Sequence, residues 1–309
     1  MAKKSTKIAL TYFITIIVTF IVIGGLGYLF LQYLKNSPAD SAENVTISPL
    51  DEQQGYVPAE ENNVSTLFIF ESEKRLSGTC FMLVRTVATE RKLVLMPLPA
   101  DTAATLDGTE NSLYEFYRLG GAQKAVSAAE NCTGTKIEYY MQLDNDSFAS
   151  LVSVFGGIDV NIPYNLVYTN PDTGEETIYR EGSTYADAGV LRKLLTYPVY
   201  TAGEEYRAKM LGITSYDLIN KNVTSSFSSH VDDYFSTVIN SSVKTNFTAY
   251  DYEEHSEALK YIASSNEHIA QLVMVTGAYN ENNLFELDAN FVRAIPEWLS
   301  LNNLNNYEE

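Results

Sequence analysis

The chain is short of positive charge, histidine, cysteine and tryptophan. Its 309 residues include 21 Lys plus Arg against 39 Asp plus Glu, three His, two Cys and one Trp. Residues 1–35 carry Lys3, Lys4, Lys7 and Lys35 and no acid, so residues 36–309 hold 17 basic against 39 acidic groups, a net −22. A body this acidic repels a phosphate backbone, which excludes DNA and RNA as partners. Anionic lipid or polymer is also repelled unless a metal or a local basic cluster intervenes. His230, His255 and His268 are scattered, with neither a His-x-x-x-His pair nor a cysteine cluster, so a zinc site is not expected. Cys80 and Cys132 are compatible with a disulfide or with two separate thiols, and the sequence leaves that open. There is no internal repeat.

What is present begins with an uncharged run at residues 8–34, bounded by Lys7 and Lys35. As a helix it would extend roughly 40 Å, more than the ~30 Å hydrocarbon core of a bilayer. Tyr12, Tyr28 and Tyr33 lie near its ends, where aromatic rings favour the interface. A cleavable signal peptide fits badly, because the stretch is too long and no small-x-small site follows it. The basic residues ahead of the run predict a cytoplasmic tail at 1–7, a transmembrane helix at 8–34, a polar linker at 35–63 and an extracellular domain at 64–309. The expectation is a single-pass protein of the cell membrane.

Beyond the linker, β-rich runs are expected at 64–70, 79–88 and 91–98, the last two joined by a turn around Thr89 and Glu90. Residues 98–110 read as a loop. Helical composition at 112–119 and 122–131 is interrupted by Gly120-Gly121. Strand returns at 136–143, helix at 146–155 and a short apolar strand at 158–162. A turn at 171–174 marks a hairpin. Helices are expected at about 186–197, 203–221, 226–240, 248–264 and 288–301, with a strand at 271–276. Strands interleaved with helices predict an α/β fold, a three-layer α/β/α domain around a central mixed sheet.

Several passages in this order carry a resemblance. An apolar strand ends in Pro97-Leu98-Pro99-Ala100-Asp101-Thr102; Tyr117-Arg118-Leu119-Gly120-Gly121 follows; Tyr139-Tyr140-Met141-Gln142-Leu143-Asp144 leads to Phe148, then to Leu151-Val152-Ser153-Val154-Phe155-Gly156-Gly157-Ile158. Over about residues 64–300 the chain resembles the LytR-CpsA-Psr (LCP) family of Gram-positive cell-envelope proteins. Family members with an intact site move a glycopolymer from a polyprenyl-pyrophosphate carrier to peptidoglycan. The resemblance implies an apolar tunnel for the lipid tail, arginines on the pyrophosphate and aspartates on a divalent cation. Such chemistry is positioning plus neutralisation of developing negative charge, for which Arg supplies a planar fork and Mg²⁺ requires carboxylates.

At those positions the chain departs from the family. Ser-Asp-Thr becomes Ser77-Gly78-Thr79, and the arginine of Pro-Arg-Asp-Thr becomes Ala100, while Asp101 survives. The Lys and Asn of Lys-Ile-Asn fall at Ser112 and Tyr114, and Arg-x-Arg at about Leu195-Thr196-Tyr197. In Asp-x-Gly-Arg-x-x-Arg-Gln, Gly203 and Arg207 persist, but the first arginine is Glu204. Asp101 and Arg207 are therefore the candidate remnants of the catalytic site, and Asp101 the candidate metal ligand. Each has a plainer role open to it: Asp101 as a turn or cap residue, Arg207 in an ion pair with Glu204 on an exposed helix face. Arg192 and Lys193 are candidate register-shifted cations, and Tyr114, Tyr117, Tyr197, Tyr200 and Tyr206 fall near the expected pocket. Losing one preorganised donor costs about 10²–10³ in rate, and several are missing. The expected function is a degenerate, non-catalytic binding or assembly module in cell-wall glycopolymer biology. Its expected partners are the membrane and a polyprenyl lipid, a cell-wall glycan or an envelope protein. No cofactor is expected, save Mg²⁺ if the family activity persists. Two alternatives stand: an active phosphotransferase with a rearranged site, and a sensor or assembly factor whose acidic surface gathers divalent cations.

Overall fold

The computed structural model describes residues 56–71, 78–162, 164–169, 173–197, 200, 203–240, 243–265 and 267–300. The apolar run at 8–34, the linker up to residue 55 and Ser77 lie outside the described residues. Among the described residues no helix is long and apolar enough to cross a membrane.

The central strands have apolar side chains on both faces, which a sheet tolerates only when both faces are covered. In β1 (Ser65–Phe70), Leu67 and Ile69 enter one core while Phe70 enters the other. In β2 (Cys80–Val87), Phe81 and Leu83 face the first core, and Cys80, Met82 and Val84 the second. β3 (Lys92–Leu98) alternates in the same way, with Val94, Met96 and Leu98 opposite Leu95. These three strands form an antiparallel meander with Leu67 opposite Leu83 and Leu83 opposite Met96. β6 (Tyr139–Leu143) adds parallel to β1, β12 (Ala270–Leu272) adds parallel to β3, and β11 (Lys244–Thr245) closes the other edge. The result is a six-stranded mixed sheet of order β11-β6-β1-β2-β3-β12.

The first core is covered by α1 (Leu113–Thr133) and α7 (Ala289–Ser300), whose Phe291, Ile295 and Leu299 recur at helical spacing. The expected interruption of α1 is present, since Gly120 and Gly121 leave helical geometry. The second core is covered by α2 (Asn145–Phe155), α3 (Ala188–Leu195) and α4 (Gly203–Asn222). A third cluster packs α5 (Val231–Ile239) and α6 (Ala249–Ala263) beside them. The three layers match the expected class.

Four differences from expectation concern short elements. Residues 98–110 are not a loop throughout. β4 (Ala103–Leu106) and β5 (Thr109–Ser112) form a hairpin whose turn residues Asp107 and Gly108 both take positive φ. Packing begins before residue 64: Asn62 is buried and the Tyr56 ring lies 5.6 Å from that of Tyr261. β10 (Gly182–Ala186) pairs with β7 (Ile158–Ile162), which composition did not mark. β13 (Gly277–Tyr279) and β14 (Phe285–Leu287) form a further hairpin, anchored by the amide of Phe285 donating to the carbonyl of Asp101.

Candidate functional site

The substituted positions collect at one end of the sheet, where β3 ends, β2 begins, and α1 and α4 start. Each replacement has acquired a structural partner. Ser112 caps α1 by accepting from the amide of Glu115 at 3.0 Å. Ala100 is buried and its carbonyl accepts from the amide of Tyr114. Gly78 holds φ of 121°, a conformation that an aspartate side chain disfavours. Leu195 is buried and its carbonyl is an acceptor for Arg207.

Arg207 is not on an exposed helix face. It is 2% exposed and among the largest fully buried side chains. Its Nε donates to Glu204 Oε2 at 2.9 Å, one Nη donates to Glu204 Oε1 at 3.2 Å, and the other donates to the Leu195 carbonyl. Its guanidinium carbon also stands 5.3 Å from the ring centre of Tyr200, whose hydroxyl donates to Leu194. The expected pairing with Glu204 exists, but in a buried setting, because Gly203 starts α4 so that its first turn faces the second core. Three of its five N–H donors are thus engaged by protein, and the Nε–Nη edge, the one suited to a bidentate phosphate, is taken by Glu204.

Asp101 lies half-buried beyond β3. Tyr279 on β13 interacts with its carboxylate, whose Oδ1 is buried with no hydrogen-bond partner among the described residues. Burial pushes the Asp101 carboxyl above its ordinary value; Tyr279 opposes this, and the neighbouring Glu204 and Glu205 reinforce it. The Tyr279 hydroxyl is pushed up too, by burial first and then by the Asp101, Glu205 and Glu204 charges. Asp101 and the Arg207–Glu204 pair thus share one neighbourhood, and its net character is acidic. Tyr279 was not singled out by sequence, although the turn-rich Asn280-Glu281-Asn282-Asn283 between two short apolar runs is a hairpin signal.

Two other arginines are committed elsewhere: Arg118 is more than half exposed and pairs with Glu115, and Arg85 pairs with Glu138 and donates to Ser65 at the opposite end of β2. Of the remaining candidates, Arg192 lines a small hollow with Gly78, Glu71 and Asn145. Tyr197, Tyr200 and Tyr206 form a chain of rings with centroids 5.2 and 5.0 Å apart. Tyr114 and Tyr117 pack on the other core, with Tyr117 close to Glu71. Among the described residues no group of three or more His, Cys, Asp or Glu side chains is placed to hold a metal ion. Asp101 alone supplies one unengaged oxygen. Cys80 and Cys132 are both free thiols, pushed up to about 12 by burial.

Below the sheet, on the side of α2, α5 and α6, lies a cavity of about 280 Å³ with almost wholly apolar walls. Phe68, Val84, Met141, Phe155 and Phe235 contribute to it, and His255 is its one histidine.

An α/β body with a central mixed sheet is the class of fold the chain adopts. The LytR_cpsA_psr family model matches residues 35–187. The polyisoprenyl-teichoic acid–peptidoglycan teichoic acid transferase TagU of Bacillus subtilis (strain 168) is 24% identical over 252 residues, 80% of each chain. The solved structure of a protein from Eubacterium siraeum DSM 15702 superposes with a TM-score of 0.69 at 22% identity, covering 84% of this chain and 99% of that one. TagV of B. subtilis gives 0.60 at 19% identity, covering 79% and 98%. TagT bound to LIIa-WTA gives 0.60 at 16%, covering 79% and 92%. The chain belongs to the LytR-CpsA-Psr family.

Proposed function

We propose that this chain is a membrane-anchored, extracellular member of the family that binds a polyprenyl-linked envelope glycopolymer, or an assembly partner, without transferring the polymer. The observation that carries the reading is Arg207: it is 2% exposed and its fork is engaged by Glu204 and the Leu195 carbonyl. A pyrophosphate would have to displace a carboxylate from a desolvated fork, and Glu205 and Asp101 beside it would repel the incoming charge. The apolar cavity supports retention of a lipid chain after the headgroup machinery has been lost.

The test uses the full chain with a polyprenyl-pyrophosphate glycan and Mg²⁺, following thermal stability and product together. Stabilisation without phosphate release or glycan transfer supports the reading. Turnover near that of an intact family member, abolished by Asp101→Ala, overturns it in favour of a rearranged transferase. That second reading has one observation on its side: Arg192 sits beside Gly78 and could supply a displaced cation.

A further inference from the structure

At the end of the sheet opposite Asp101 and Arg207 lies a cleft of about 540 Å³. The end of β2, the start of β6, the C-terminal end of α1, the last turn of α7 and the short 3₁₀ turns Glu60–Asn62 and Ala88–Glu90 bound it. Two cations line it, Arg85 and Lys136, against three acids, Glu60, Glu90 and Glu138. Arg85 is the informative group. Its side chain is 25% exposed, and burial pushes the guanidinium below its ordinary value against the pull of Glu138 and Glu60. One Nη donates to Ser65 Oγ at 3.2 Å and stands 3.9 Å from Glu138 Oε2, beyond hydrogen-bond range. That oxygen is already taken by the Ser65 amide at 2.8 Å, and Lys136 Nζ lies 3.6 Å from the other one. The Arg85 Nε and second Nη, the edge suited to a bidentate oxyanion, have no hydrogen-bond partner among the described residues, and neither is shut away from solvent. Glu204 fills that edge on Arg207; on Arg85 it is unused.

The wall made by the two 3₁₀ turns has the opposite character. Asn63 ties the turns together, since its Oδ1 accepts from the Ala88 amide at 2.7 Å and its Nδ2 donates to Glu60 Oε2 at 2.9 Å. Glu60 keeps its other oxygen unengaged among the described residues, and Glu90 is exposed. α1 ends at Gly134 on the cleft, so its terminal carbonyls add partial negative charge. A phosphate would meet three carboxylates for two cations, and a simple cation would meet the half-buried guanidinium. A ligand with one charge of each sign satisfies both walls. We propose that this cleft binds a short zwitterionic peptide, its carboxylate on the unused edge of Arg85 beside Lys136 and its ammonium among Glu60, Glu90 and the last carbonyls of α1. Val87, Pro296 and Leu299 supply an apolar strip for its side chains. The volume falls within the range of small-ligand sites, roughly 300–1,000 Å³. This site lies apart from the positions on which the proposed function rests, and it stands or falls separately.

The experiment titrates the full chain in lipid nanodiscs with trialanine at neutral pH, followed by isothermal calorimetry. Two blocked forms run alongside it: N-acetyl-trialanine, which lacks the ammonium, and trialanine amide, which lacks the carboxylate. Trialanine should bind, and loss of either charge should weaken binding about tenfold, as expected for a charge-assisted hydrogen bond. Lys136→Ala, at a side chain 81% exposed, should leave Tm unchanged and weaken trialanine more than its amide. Glu60→Gln should shrink the penalty for acetylation, and Arg85→Gln the penalty for amidation. Because Arg85→Gln also strands Glu138, Arg85→Lys is the second variant. It keeps the charge but lacks the two-pronged edge, so it should weaken trialanine several-fold and leave the amide unchanged. Equal binding of the three peptides, no heat from trialanine at millimolar concentration, or wild-type affinity in Arg85→Lys overturns the inference. Inorganic phosphate binding more tightly than trialanine also overturns it, since the cleft would then be an oxyanion site. Stabilisation by a polyprenyl-pyrophosphate carrier reports on the other end of the sheet and leaves this result unchanged.

Discussion

The Arg207–Glu204 pair allows one reading to be tested by removing a single carboxylate. In Glu204→Ala the guanidinium, 2% exposed in the wild type, keeps only the Leu195 carbonyl and the Tyr200 ring. Breaking a buried pair from one side costs about 3–5 kcal/mol, because the remaining charge is uncompensated. Glu204 is itself 25% exposed, so water can reach the vacancy and the lower end, about 3 kcal/mol, applies. For a domain of this size that is a fall in Tm of roughly 6–12 °C. The double variant Glu204→Ala/Arg207→Met should recover much of the loss, since an apolar side chain replaces the stranded charge. The variant should also gain what the wild type lacks. Inorganic pyrophosphate at tenfold its Kd would restore about 1.4 kcal/mol to Glu204→Ala through binding to the released fork. The assay is thermal unfolding of wild type and both variants, with and without pyrophosphate. If the wild type is stabilised by pyrophosphate as much as Glu204→Ala, Arg207 is already available to a headgroup and the argument for a closed site fails.

Three further outcomes are expected. Asp101 binds its proton more tightly in the folded chain than its ordinary value of 3.8 implies, so folded stability is lost as pH rises through the folded value. Asp101→Asn should raise Tm at neutral pH and give no advantage below about pH 3.8; a constant difference across a pH–Tm series would refute this. Gly212 sits where α4 meets the sheet, and a Cβ there would fall 2.7 Å from Pro97 Cγ and 2.9 Å from Leu272 Cδ1. Gly212→Ala should therefore cost about 1–3 kcal/mol in denaturant unfolding, despite the better helix propensity of Ala. Cys80 is a buried free thiol and Cys132 a half-buried one, so reductant should leave Tm unchanged, and a thiol reagent should reach Cys80 only after unfolding.

The sheet was legible because burial on both faces leaves a plain trace. Residues Leu93–Met96 are apolar without a gap, a pattern that suits a strand covered above and below. Gly120-Gly121 announced the break in α1, and Asp144 announced the start of α2 by accepting from Ser147 in a capping box. The short hairpins were not legible by composition, since β4, β5, β13 and β14 are three or four residues long and mostly polar or small. For β4–β5 the information was nevertheless present: Asp107-Gly108 is the pair that a tight turn with two positive φ values requires. The hairpin carrying Tyr279 matters most, because it brings a residue from late in the chain onto Asp101 through a contact that no local spacing encodes.

The candidate site shows a different limit. Alignment of the departures located Asp101, Arg207 and Glu204 and even the i−3 pairing, but burial was not encoded in that spacing. An Arg three residues after a Glu reads the same on a wet face as on a dry one. The tertiary context supplies the difference: α4 starts at Gly203 against the C-terminal end of α3, so Leu195 presents a carbonyl to Arg207 and Leu194 one to Tyr200. With Leu195 buried beside it, an unpaired guanidinium at 207 would be a desolvated charge against the second core, and the acid at 204 neutralises it. Glu204→Arg should therefore place two cations against one carbonyl and unfold the start of α4, which hydrogen exchange at residues 204–208 would register as lost protection.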